Sequence, residues 1–347
     1  MKTKFIKNSS IFFITALFTS GLGFITLPIY TRYLSPSDYG ILALFYLFGS
    51  VIVNLISVGL MSSSYRYYFE YKNKQKSFQI FNTTSVVFNV VTFLFFGVFI
   101  YLFASWLSNS VFDNKVSPKL LQLSYLSGCL NYFIQYFLHL LSAQLKTFHF
   151  AFLSITKVII DIIFSFYFIF HDSLTYMARI NATIISGVII FILSFFAVKN
   201  LFVWRLSLKH LKESLTFSYP NIPTTMIGLA YQSFDKVMII NYRNMSSLGH
   251  YNIGEKFAGI FKISTDAIGN VFNPFFQEKA HEKSLEAKKD IVRLYYNIAG
   301  IYLLGAFTII CFSEELIKLF TTKEFHQSIY LAPLFIFYYL FGAIMST

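Results

Sequence analysis

The sequence predicts an all-α fold, a polytopic helical membrane protein, and three observations predict it. The chain of 347 residues is 56% hydrophobic and only 13% charged, and its mean hydropathy is +0.59, outside the range of soluble domains. Ten apolar stretches recur along it, each long enough to cross a bilayer as a helix. Lysine and arginine are distributed unevenly among the segments between those stretches. Barrel strands would be about 10 residues long with alternating polarity, and that pattern is absent from the sequence.

The expected spans lie near residues 9–33, 38–64, 79–107, 119–145, 149–170, 175–198, 215–241, 248–276, 290–312 and 328–347. The first follows a basic start. Its apolar run is too long for a signal peptide and similar segments follow, so it reads as a spanning helix. Pro28 removes a backbone donor and predicts a bend near the end of this helix. The turn Arg32-Tyr33-Leu34-Ser35-Pro36-Ser37-Asp38-Tyr39-Gly40 then predicts an abrupt new helix. Ser35 suits the N-cap, Pro36 the first helical position, and Asp38 the positive end of the helix dipole.

Polar residues recur at helical spacing in later spans. Asn82, Ser85, Asn89 and Thr92 share one face, as do Ser124, Gly128, Asn131, Gln135 and His139. His139 is a hydrogen-bonded interior histidine or a proton carrier. Lys157 and Asp161 stand one turn apart and are expected to pair, as a neutralised structural pair or as part of a binding site. Arg179, near the end of its span, is expected to snorkel to the interface. Cys129 and Cys311 fall in apolar segments without metal-ligand spacing.

The richest stretch is 214–293. Ser218, Asn221, Thr225, Gly228, Gln232 and Asp235 lie on one helical face, followed by Lys236. Glu255, Gly259, Lys262, Asp266, Gly269 and Asn273 lie on another, with Lys256 beside them. A charge held in lipid costs about 3 kcal/mol, so these groups are expected to face a polar cavity or a packing seam.

With the N-terminus placed in the cytoplasm, 17 of the 28 Lys and Arg residues fall in inner segments, 6 in outer segments and 5 within spans. This distribution predicts an N-in topology. It also explains the +12 net charge through anionic lipid headgroups rather than nucleic acid. No phosphate-binding glycine loop, zinc-ligand spacing or nucleophile elbow is present, so the reading is of a non-enzyme without cofactor or metal.

An internal repeat is visible. Arg32 to Tyr39 reads RYLSPSDY and Arg243 to Tyr251 reads RNMSSLGHY, at an offset of about 210 residues. The repeat predicts two six-helix lobes of the same orientation, 1–210 and 211–347, with about four helices of the second present. A full second lobe would extend to roughly residue 420 by the same offset, so a truncated chain is one expectation.

At the residues from Arg32 to Gly40, Tyr219-Pro220 through Asp235-Lys236, Gly249-His250-Tyr251-Asn252-Ile253-Gly254-Glu255-Lys256, and Asn273-Pro274, the sequence resembles the polysaccharide transporter family of bacterial inner membranes. These are the O-antigen and capsule flippases of the multidrug/oligosaccharidyl-lipid/polysaccharide exporter superfamily. The resemblance implies a substrate, an oligosaccharide joined through pyrophosphate to a polyprenol. It further implies movement of that substrate to the outer leaflet for lipopolysaccharide or capsule assembly, beside other polysaccharide-assembly membrane proteins. Lys236, Lys256, Lys262, Arg32 and Arg243 are then the candidate pyrophosphate cations. Asn221, Gln232, Asn131, Gln135 and Tyr231 are candidate sugar contacts. Asp235, Glu255 and Asp266 are candidate ion carriers. The alternatives are a cation-coupled drug exporter of the same superfamily, a membrane enzyme, and an inactive fragment.

Overall fold

The computed structural model describes residues 2–71, 74–112, 115–171, 175–282 and 284–346, and among them every regular element is a helix. In chain order these are α1 (Lys2–Ile25), α2 (Leu27–Tyr33), α3 (Pro36–Ile56), α4 (Leu60–Glu70), α5 (Gln75–Phe112), α6 (Pro118–Ala143), α7 (Thr147–His171), α8 (Tyr176–Val198), α9 (Leu208–Ser218), α10 (Ile222–Tyr242), α11 (Met245–Glu282), α12 (Leu285–Cys311), α13 (Ser313–Phe320) and α14 (Ala332–Ser346). Short 3₁₀ turns occupy Lys199–Leu201, Tyr219–Asn221 and Lys323–Tyr330.

The ten expected stretches are largely helical, although 38–64 is broken at residues 57–59 between α3 and α4 and 215–241 begins in α9 and bends through Tyr219–Asn221, and they do not all meet one standard of apolarity. Among the described residues six segments are long and apolar enough to span: Ser10–Tyr33, Pro36–Ile56, Gln75–Ser110, Thr147–His171, Tyr176–Leu201 and Leu285–Cys311. The pair Lys323–Tyr330 and Ala332–Met345, bent by 42°, makes a seventh. The other three expected spans are α6, α10 and α11. Their amide, hydroxyl and charged residues lower the average hydropathy below that of a purely lipid-facing helix. Where α5 carries Leu94, Phe95, Val98, Tyr101 and Leu102, it leaves large apolar side chains exposed, a surface suited to hydrocarbon and not to water.

The helix ends follow local chemistry. Near Pro28 the first span breaks at Thr26, between α1 and α2. Ser35 and Asp38 form a reciprocal capping box on α3. The Ser35 N–H donates to Asp38 Oδ2 at 3.0 Å, its hydroxyl donates to the same oxygen at 2.7 Å, and the Asp38 N–H donates to Ser35 Oγ at 3.2 Å. Ser117 caps α6 ahead of Pro118, and Ser284 caps α12.

The chain divides into two compact units. One comprises Met1–Gly23 and Ile41–Asn244, the other Phe24–Gly40 and Met245–Thr347. The lobes 1–210 and 211–347 are a division by repeat rather than by packing, and they remain a proposal. In the first unit α6 is central. Its Tyr132, Phe133, Tyr136 and Phe137 join Phe93 of α5 and Ile190 of α8 in the apolar core. At its crossing with α3 there is no room for side chains. A Cβ on Gly49 would lie 2.4 Å from the Ser124 carbonyl oxygen, and one on Gly128 would lie 2.5 Å from the Gly49 carbonyl oxygen.

In the second unit α11 packs on α12 and α14 around Phe261, Phe272, Tyr302, Ile336 and Leu340. Its start meets the start of α3 reciprocally. A Cβ on Gly40 would lie 1.9 Å from Met245 O, and one on Gly249 would lie 1.8 Å from Pro36 O. Each glycine stands four residues after the partner's contact residue in its own helix, so the repeated segments meet as equivalent halves of one crossing. Gly249→Ala is expected to destabilise the protein by about 1–3 kcal/mol through overpacking, read as a lower Tm in detergent. An unchanged Tm would contradict this backbone contact.

Candidate functional site

Helices α3, α6, α7 and α8 of the first unit surround a cavity of about 380 Å³. Each contributes its polar face. Tyr46, Ser50 and Asn54 come from α3, and Ser124, Ser127, Asn131 and Gln135 from α6. Lys157 and Asp161 come from α7, with Thr183 and Ser186 from α8. The helical face running from Ser124 to Gln135 is therefore a cavity wall, as its spacing implies, although His139 is not among the lining residues. Gly49, Gly128 and Gly187 also line the space.

Two charged groups define the electrostatics of this cavity. The Lys157 ammonium donates to Asn131 Oδ1 at 2.7 Å, which ties α7 to α6. An ammonium carries three donors, so this bond leaves capacity for ligand oxygens. The Asp161 carboxylate is held more fully. Arg179 Nη1 lies 2.9 Å from Asp161 Oδ2, with only 16% and 22% of the two side chains exposed. Thr183 and Ser186 donate to Oδ1 at 3.2 and 3.3 Å. Arg179 also donates to Ser165 at 2.5 Å, and the Tyr46 hydroxyl lies 3.0 Å from Thr183 Oγ1.

This geometry corrects two expectations. Asp161 makes its direct ion pair with Arg179 of α8, because the neighbouring helix presents a guanidinium and two hydroxyls to the same carboxylate. Lys157, one turn away, bonds to Asn131 while still attracted by the carboxylate at longer range. Arg179 accordingly turns inward instead of snorkelling. The signal was present in the sequence, since Arg179, Thr183 and Ser186 step by 4 and 3 along one face, the face that α8 packs toward Asp161.

Of the residues singled out for sugar binding, Asn131 and Gln135 line this cavity; ten others singled out for pyrophosphate, sugar or ion binding lie elsewhere, five in each unit. In the first unit, Asn221 is exposed and lines a separate cleft. Asp235 and Lys236 are half-buried on α10, with the Lys236 N–H on Asp235 Oδ1 at 2.8 Å. Arg243 is exposed at the end of α10, and Gln232 lies on α10 with its side chain outside the described ones. In the second unit, Arg32 is exposed in the last turn of α2, and Glu255 is half-buried while Asp266 is exposed on α11. The Lys256 Nζ lies 5.0 Å from the Tyr39 ring centroid and the Lys262 Nζ 5.5 Å from that of Tyr339, within cation–π range. None of the ten lines the α3–α6–α7–α8 cavity. Tyr231 is exposed.

The helical arrangement is similar to that of solved transporters. A mutant of the Vibrio cholerae MATE transporter VcmN aligns with a TM-score of 0.66 at 13% identity, covering 99% of this chain and 83% of that one. An inward-facing multidrug resistance MATE family transporter of the MOP superfamily aligns with a TM-score of 0.68 at 13% identity, covering 96% and 80%. The class is therefore a multi-pass membrane protein with the MATE transporter fold. Within that class, a sequence model described as polysaccharide biosynthesis protein matches residues 5–278, and the chain belongs to that family. It is also 23% identical over 298 residues to Lsg locus putative protein 1 of Haemophilus influenzae, covering 81% of this chain and 68% of that protein.

Arg179→Gln would leave the Asp161 carboxylate without its cation inside the bundle. The expected cost is about 3 kcal/mol, and adding Asp161→Asn should recover part of it. Thermal unfolding of the two single variants and the double variant checks this. Purely additive losses would show that the pair is not coupled.

Proposed function

We propose that this chain is a flippase. It carries a polyprenyl-pyrophosphate-linked oligosaccharide from the cytoplasmic to the outer leaflet of a bacterial inner membrane, for O-antigen or capsule assembly. The observation that carries this reading is the set of amides, hydroxyls, one lysine and one paired aspartate that line the cavity, among apolar residues such as Phe45 and Leu130, in a chain of the polysaccharide biosynthesis family. Sugar hydroxyls need paired donors and acceptors, which Asn54, Asn131, Gln135, Ser127 and Thr183 supply. They also favour aromatic faces, and Tyr46 provides one. Lys157 adds a cation for an acidic sugar or a phosphate oxygen.

The pyrophosphate cations in this proposal are Lys236, Lys256, Lys262, Arg32 and Arg243, with Asn221 and Gln232 as further polar contacts. Asp235, Glu255 and Asp266 are the proposed ion carriers. Asp161 is less suited to carrying an ion because three donors already hold it in place. Alternating access between two repeat-related lobes moves the headgroup while the prenyl tail stays in lipid. The N-terminus lies in the cytoplasm, as the lysine and arginine distribution favours.

Expression in a cell lacking its own flippase for a known surface glycan tests the proposal. Surface glycan should return with the native chain. Lys157→Ala should cut it about ten-fold or more, equivalent to about 1.4 kcal/mol of lost binding, while lipid-linked intermediate accumulates inside and the protein stays in the membrane. Normal export by the variant would remove Lys157 from the site. A second reading, a cation-coupled drug exporter, draws on the likeness to multidrug MATE structures. It expects raised drug tolerance in the same cells and no glycan rescue.

A further inference from the structure

A second cavity, of about 740 Å³, lies between α4 and α9 of the first unit. It is lined by Arg66, Lys209, Lys212, Glu213, Thr216 and Asn221 among others. Three cations thus face one carboxylate. That carboxylate is already engaged, because the Tyr71 hydroxyl donates to Glu213 Oε2 at 2.8 Å. Burial first, and the Glu213 carboxylate second, push the Tyr71 phenol above its usual range, so it stays a protonated donor. The Arg66 guanidinium lies over the Phe217 ring, 4.6 Å from its centroid, and its N–H donors can serve a phosphate.

The frame around the cleft is fixed. Ser63 and Ser214 are hydrogen bonded at 2.6 Å, the Tyr67 hydroxyl donates to the Glu213 carbonyl at 3.3 Å, and the Ser218 hydroxyl donates to the Gly59 carbonyl at 3.2 Å. Beside the lysines, the approach to α9 carries bulky apolar side chains in the open. Trp204 is fully exposed and Leu208 is 84% exposed, with Leu206 between them and Arg205 alongside. Exposed Trp and Leu beside Lys and Arg, on the segment leading into a short helix, suit a membrane interface.

We propose that the α4–α9 cleft is a phosphate-binding site for the headgroup of an anionic phospholipid, seated there by Arg66, Lys209 and Lys212. It is separate from the α3–α6–α7–α8 cavity, and its seating residues Arg66, Lys209 and Lys212 are not among those proposed above for the substrate, although Asn221 lines its edge. Exposed lysines near a lipid surface each add roughly 1 kcal/mol of attraction. The flanking apolar residues favour a lipid as the source of the phosphate over a soluble ion.

The test uses the full chain in nanodiscs of phosphatidylcholine with and without phosphatidylglycerol, and in phosphatidylcholine with added inorganic phosphate. Retained lipid is read by native mass spectrometry and stability by Tm. The native chain should retain phosphatidylglycerol over phosphatidylcholine. The Lys209→Gln/Lys212→Gln variant should bind it about ten-fold more weakly. Lys209→Arg/Lys212→Arg should keep it, and Lys288→Gln/Lys289→Gln, on exposed lysines of α12, should leave it unchanged. All variants should share one Tm in phosphatidylcholine alone. If inorganic phosphate stabilises the native chain as much as phosphatidylglycerol does, phosphate recognition stands and the lipid source is overturned. If neither ligand distinguishes the native chain from the Gln variant, or if the Arg variant loses as much as the Gln variant, the site is wrong.

Discussion

In hydrocarbon an unpaired polar group costs several kcal/mol, and the first unit is arranged around meeting that cost at Asp161. Three side chains from α8 converge on its carboxylate, and the same guanidinium reaches Ser165. The consequence is geometric as well as energetic, because the pair fixes α7 against α8, and the Lys157–Asn131 bond fixes α7 against α6. On its other sides α6 is tied by Tyr125 to the Phe93 carbonyl at 2.7 Å, by Tyr132 to Asn89 at 3.0 Å, and by Ser124 to the Phe45 carbonyl. These polar side chains, which the bilayer would penalise, act as struts between helices. The cavity is the space those struts leave.

Close approach of backbones is the complementary device. Where lipid offers no apolar driving force between helices, small residues let them approach closely. Gly49 and Gly128 do this for α3 and α6, while Gly40 and Gly249 do it for the starts of α3 and α11. The second crossing has further meaning. The residues that meet there belong to the two copies of the internal repeat, and each copy supplies one glycine and one carbonyl.

The helical, multi-pass character was fully legible in the sequence, because length and hydropathy are local properties. So were the cap at Ser35 and Asp38 and the break near Pro28, which depend on a few adjacent residues. The cavity was legible in part. The α6 stripe from Ser124 to Gln135 could be read as a polar wall, but a stripe does not say which neighbour it faces. Asp161 shows where helical periodicity stops carrying information. On one helix its nearest cation is Lys157, four residues away. In space it is Arg179, 18 residues on, across a turn whose geometry no periodicity encodes. Attention to the charges of α10 and α11 likewise followed charge density, whereas the cavity in the first unit follows from how four helices with fewer charges pack together.

The three expected spans that fall short in apolarity give the clearest link between sequence and role. A helix that only spans and packs can be apolar all round, as much of α5 is. A helix with one face turned to a polar cavity cannot, and the polar residues of that face lower its hydropathy. In α6 the shortfall comes in part from Ser124, Ser127, Asn131 and Gln135, and these residues line the cavity. In α10 and α11 it comes in part from Asp235, Lys236, Glu255, Lys256, Lys262 and Asp266. In a transporter fold the cost of placing such groups at membrane depth is tolerated only where they line a cavity, pair with one another or contact a ligand. Low apolarity alone does not mark the cavity helices, because α3, α7 and α8 are apolar enough to span and still supply most of the cavity's polar lining with α6.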